Sequence, residues 1–125
     1  MEVSAPSSEV ELYQSADGSV TLEVKTDDDT VWLTQAQLSA LFGRDRTVIA
    51  RHVANAKRDE LSGNPVSALF AHTADDGKTY QVEHYNLDTI ISVGYRVKST
   101  EGVRFRRWAS DVLKRYLDLG GHAAG

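Results

Sequence analysis

The chain has 125 residues, a net charge of −4 and no cysteine, which leaves room for one domain core and excludes disulfides and thiolate metal sites. Hydrophobic residues make up 41% and charged residues 26% of it, the balance of a packed domain rather than of a disordered chain. No apolar run reaches the roughly 18 residues a membrane span requires, and the opening MEVSAPSSEV has no apolar centre of the kind a secretory signal needs, so the expected compartment is the cytoplasm.

Residues 1–8 are polar with one proline and read as a flexible leader, ahead of a single domain over 9–120 and a short tail over 121–125. Val10 and Leu12 alternate with polar neighbours, Ala16-Asp17-Gly18-Ser19 supplies a turn, and Val20, Leu22 and Val24 alternate again. This predicts a β-hairpin with one buried face. Asp27-Asp28-Asp29 makes a second turn into a short strand, Thr30 to Leu33; the three acids read as solvated turn residues because no further cation ligands follow them.

Thr34 to Phe42 offers a threonine N-cap and apolar residues at Leu38, Leu41 and Phe42, the spacing of a one-sided helix. Gly43 stands where the chain must leave that helix in a left-handed conformation. Asp45 caps a second helix, expected to run to about Leu61 and pinned along Ile49 and Val53. Two short helices about a tight glycine turn are the pattern of a helix-turn-helix. On the outward side of the second helix, Arg46, Thr47 and Arg51 are the residues expected to read the major groove, and Val48 and Ala50 those expected to make close apolar contacts. Arg44 and Lys57 are the expected phosphate ligands. Arg44 also departs from the pattern, since an apolar residue usually follows the turn glycine.

Gly63-Asn64-Pro65 ends the second helix, and Val66 to Thr73 and Thr79 to Tyr85 are strand-like around Asp75-Asp76-Gly77-Lys78. A hairpin in this place is a wing, with Lys78 and Thr79 as its DNA contacts; Asp75 and Asp76 at the same tip would repel phosphate, so a purely structural hairpin is the competing reading. Asn86 caps a third helix over Leu87 to Lys98, Ser99 to Gly102 is a break, and a last helix runs from Val103 to Leu119 with Phe105, Trp108, Val112 and Tyr116 on one stripe until Gly120-Gly121 stops it. The elements together predict an α+β fold, a winged helix-turn-helix with an N-terminal β-hairpin or three-stranded sheet and two C-terminal helices.

Charge is unevenly spread: residues 1–43 sum to −7, 44–60 to +2, 61–101 to −2 and 102–125 to +3. A DNA-facing surface is thereby confined to the second helix, with help from the last, while the acidic end faces away. His52, His72, His84 and His122 show no metal-ligand spacing, and no phosphate loop, nucleophile elbow or paired-carboxylate motif is present. No enzyme activity, cofactor or metal is expected. Double-stranded DNA is the expected partner, and because so few cations bind weakly alone, a homodimer reading two half-sites is the expected form. The acidic balance and acidic wing tip leave open a protein-interaction module that binds or regulates an effector.

Three segments, VWLTQAQLSALFGRDRTVIARHV, HTADDGKTYQVEHYNLDTIISVGYRV and FRRWASDVLKRYL, resemble the RhuM-type virulence-protein family over nearly all of residues 9–119. The resemblance implies a bacterial DNA-binding domain, a transcriptional regulator or targeting module that in relatives stands alone or precedes a Fic-type or other effector domain. The stretch at Phe105-Arg106-Arg107-Trp108 is also similar to the end of the Bro-N domain of phage antirepressors. Nothing resembling a Fic catalytic motif accompanies it.

Overall fold

In the computed structural model, described for residues 9–27, 29–59, 61, 63 and 66–124 with side chains through Arg115, the chain is α+β. Its elements in order are β1 (Glu9–Gln14), β2 (Thr21–Thr26), β3 (Val31–Thr34), α1 (Gln35–Phe42), α2 (Arg46–Asp59), β4 (Ser67–Thr73), β5 (Thr79–Tyr85), α3 (Leu87–Arg96) and α4 (Thr100–Ala124). The strands form one antiparallel sheet in the order β1-β2-β3-β5-β4. The expected leader, Asp28 of the acidic turn, Asn64, Pro65 and the side chains of Tyr116 and His122 lie outside the described residues.

Turn chemistry sets the N-terminal hairpin. Gly18 takes φ 77, the Asp17 carboxylate accepts from the backbone N–H and hydroxyl of Ser19, and Ser15 N–H donates to the Val20 carbonyl. This closure sets Tyr13 opposite Leu22 and Glu11 opposite Val24. Because strand side chains alternate strictly, burying Leu22 and Val24 sends the odd residues of β1 inward. Tyr13 is therefore buried, and Val10 and Leu12, expected on the buried face, stand 51% and 64% exposed.

The second acidic turn is held by its own first residue. Asp27 accepts from the N–H groups of Asp29 and Thr30 and from the Trp32 indole. β3 then joins the two hairpins: Trp32 and Val31 pair with β2, and Leu33 and Thr34 with β5. On the sheet face away from the core, Phe70 meets Trp32 and His84 edge-on at 5.5 and 4.7 Å between ring centres, and the Lys25 ammonium lies 5.6 Å from its ring.

The core runs from Val24, Val31 and Leu33 on the sheet to Leu38 and Ile49 on the first two helices and Ile90, Val93 and Phe105 on the last two, all essentially inaccessible. Tyr13 meets Phe105 and Trp108 edge-on at 5.0 and 5.2 Å and donates its hydroxyl proton to Glu101, so α4 is tied to the edge strand at its first turns. Between α3 and α4, Gly94 and Gly102 meet without side chains, and a Cβ on Gly94 would stand 3.1 Å from Phe42 Cζ at the end of α1.

Helix ends differ from the sequence expectation where local bonds decide them. α3 ends at Arg96 rather than Lys98: Val97 caps it, Lys98 turns to φ 56 and Ser99 N–H returns to the Gly94 carbonyl. α4 starts at Thr100 rather than Val103, because Ser99 Oγ accepts the Glu101 N–H and its carbonyl the Gly102 N–H. The helix also passes through Gly120-Gly121, since glycine costs a helix interior about 1 kcal/mol without obliging it to stop.

Two measurements check this packing. Gly94→Ala should lower unfolding free energy by about 1–3 kcal/mol, as for other overpacked core sites, read by chemical denaturation. Burial holds the His84 imidazole below its ordinary value of 6.5, so the folded state binds fewer protons there than the unfolded chain. Stability from this group is complete above pH 6.5 and is lost as pH falls through the folded value; His84→Leu should show a flatter decline between about pH 7 and 5 than the parent.

Candidate nucleic-acid interface

The Leu33–Val53 segment forms the two helices and turn that its pattern predicts. Thr34 and Gln37 make a reciprocal capping box: Gln37 N–H donates to Thr34 Oγ1 at 3.1 Å and Thr34 N–H to Gln37 Oε1 at 2.9 Å. The Gln37 amide also donates to the Glu23 carbonyl at 2.8 Å, fixing α1 on β2. Gly43 caps α1 at φ 64, and Ser39 closes the turn, its carbonyl accepting the Arg44 N–H and its hydroxyl donating to the Arg44 carbonyl. Asp45 Oδ2 accepts the Thr47 N–H at 2.9 Å, starting α2, and these bonds hold its carboxyl below the usual range. Gln35 reaches across to the Arg46 carbonyl at 3.1 Å and fastens the start of α2 to α1.

Ile49, Val53 and Ala56 bury one side of α2. The opposite side exposes Thr47, Ala50, Arg51, Ala54, Lys57 and Arg58, with Arg46 exposed at its start. The expected reading residues Arg46, Thr47, Ala50 and Arg51 are thus brought to solvent on one element with Lys57, while Val48 is half-buried at its margin. Arg46, Arg51 and Lys57 form no side-chain ion pair with any described residue. Ala54 and Arg58 join this surface without having been expected there, although the steps 47, 51, 54, 58 follow the same helical row.

Arg44 and Lys78 stand apart from that row. The Arg44 guanidinium lies on the carbonyls of Phe42 and Gly43, both at 3.4 Å, and of Val97 at 3.2 Å. It places positive charge on the C-terminal ends of α1 and α3, where helix dipoles favour it; this explains a cation where an apolar residue is usual. Lys78 sits on the β4–β5 tip, where Gly77 takes φ 83 and Asp76 accepts the Lys78 N–H and the Tyr80 hydroxyl. One tip carboxylate is therefore engaged in building the turn.

Behind α2, Asp59 joins Arg58 at 3.0 Å and Arg96 at 3.3 Å. The half-buried His52 has its Nδ1 inside without a hydrogen-bond partner among the described residues, and burial together with Arg51, Arg96 and Arg44 lowers its pKa. It therefore adds no positive charge to this surface at neutral pH. Among the described residues no group of histidines and carboxylates is arranged to hold a metal ion, and no helix is long and apolar enough to cross a membrane.

A family model described as Virulence protein RhuM family matches residues 65–122, the β4–β5 hairpin, α3 and nearly all of α4. Neither the curated proteins nor the solved structures yield a match. The two helices around Gly43 precede the matched segment. Over residues 65–122, a little under half of its length, the chain is similar to the RhuM family.

Proposed function

We propose that the chain is a DNA-binding domain, a winged helix-turn-helix serving as a transcriptional regulator or targeting module of a RhuM-type protein. The observation that carries this reading is the exposed row of α2, where short side chains alternate with Arg46, Arg51 and Lys57, cations that form no ion pair with any described residue. α2 enters the major groove with Arg46, Thr47 and Arg51 toward base edges and Ala50 and Ala54 permitting close approach. Lys57 and Arg58 meet phosphate. The strand order β3-β5-β4, with α1 packed on β3 and β5, supports the winged reading, in which Lys78 at the hairpin tip is the wing's contact. Arg44 contributes by holding the turn that aims α2. The reading carries with it a cytoplasmic location and leaves room for a fused or separate effector.

The acidic tip residues Asp75 and Asp76 and the overall charge of −4 favour a second reading, a protein-interaction module that regulates an effector. Duplex binding measured against salt separates the two. The parent should bind with an affinity that falls steeply with salt. Arg46→Ala with Arg51→Ala should weaken binding by about tenfold or more and reduce the salt slope by about one for each phosphate that the arginines neutralise. Unchanged affinity and slope in the double variant would remove α2 from the interface. No enrichment over that variant in selection from a random duplex pool would sink sequence-specific reading.

A further inference from the structure

The close approach of Gly94 and Gly102 leaves a groove of about 340 Å³ on the outer side of the α3–α4 hairpin, with the two glycines as its floor and Ile91, Tyr95 and Val103 among its walls. Tyr95 is 80% exposed, the most of any large apolar side chain among the described residues, and Val103 is 52% exposed. Aromatic surface of that size is costly to leave in water and is the usual anchor of a protein interface.

The outward order along α3 is Asp88, Ile91 and Tyr95, at helical steps of three and four, followed by Lys98 just past the helix end. Asp88 and Lys98 are exposed, and Lys98 lines the same groove as Ile91 and Tyr95. This order is complementary to itself. Laid against a second copy running the opposite way about a twofold axis at residue 93, Ile91 faces the partner's Tyr95 and Asp88 faces the partner's Lys98. A twofold contact requires such self-complementarity, whereas an unrelated partner does not.

We infer that a second copy of this chain docks here by antiparallel packing of α3 on α3, the Tyr95 ring of each copy entering the glycine-floored groove of the other. Asp88 and Lys98 pair at both ends of the contact and fix its register. Arg106, on the α4 wall of the groove, adds a second cation for the Asp88 carboxylate. The contact is independent of nucleic acid, so its test stands apart from the DNA-binding reading.

The test is sedimentation equilibrium of the chain without DNA. The parent should approach twice its 13.8 kDa mass with rising concentration. Tyr95→Glu should raise the dimer dissociation constant by about tenfold or more. Asp88→Lys alone should weaken the dimer by setting lysine against lysine, as should Lys98→Asp by setting carboxylates together; aspartate tolerates the positive φ at position 98. The double swap should restore association. Monomer at every concentration, a dimer indifferent to Tyr95→Glu, or a double swap no better than either single change would overturn the inference.

Discussion

Everything in this fold depends on α3 and α4 being able to touch backbone to backbone. Gly94 and Gly102 have no side chains at the crossing, and Phe42 from the end of α1 fills the space beneath them, 3.1 Å from a Cβ that Gly94 lacks. The contact therefore joins three helices at once: the one that ends at the Gly43 turn and the two that close the domain. It also brings the C-terminal end of α3 within reach of Arg44, whose guanidinium meets the Val97 carbonyl. The aim of α2 is set from behind by helices much later in the chain.

That dependence links the two halves of the chain. The RhuM match covers residues 65–122, while the exposed cationic row lies on α2 at Arg46–Asp59. The matched half supplies the hairpin that pairs with β3 and the helix α3 that packs against α2. It supplies no cation of that row. A change in α3 such as one at Gly94 would accordingly act on α2 through packing, without touching the surface that α2 presents.

Local chemistry is legible in the sequence, and long-range register is not. The caps at Thr34 and Asn86, the left-handed Gly43 and the strand Thr79 to Tyr85 occur where the residues predict them, because each depends on neighbours within a few positions. The inward face of β1 escapes such reading because Val10 and Leu12 look like a buried pair until the turn at Gly18 sets Tyr13 against Leu22. For Arg44 the deciding partner, Val97, is 53 positions away, and no short-range pattern announces it. The end of the last helix differs from expectation for another reason: glycine disfavours a helix by an amount that other contributions readily exceed.

The sheet is continuous only through β3, and this has a mechanical consequence. Four residues carry the whole splice, two pairing with the N-terminal hairpin and two with the β4–β5 hairpin, on opposite edges and without overlap. Each side hangs on a ladder two residues long, backed by the buried Val31 and Leu33. Within the hydrogen-bonded sheet, twist imposed on the β4–β5 hairpin therefore reaches the N-terminal hairpin through one short strand, and that strand runs directly into the Thr34 cap of α1. A twist of the β4–β5 hairpin is thereby passed to the start of α1, which Gln35 fastens to the start of α2, so the hairpin and the exposed row of α2 are geared to each other through a single turn of helix.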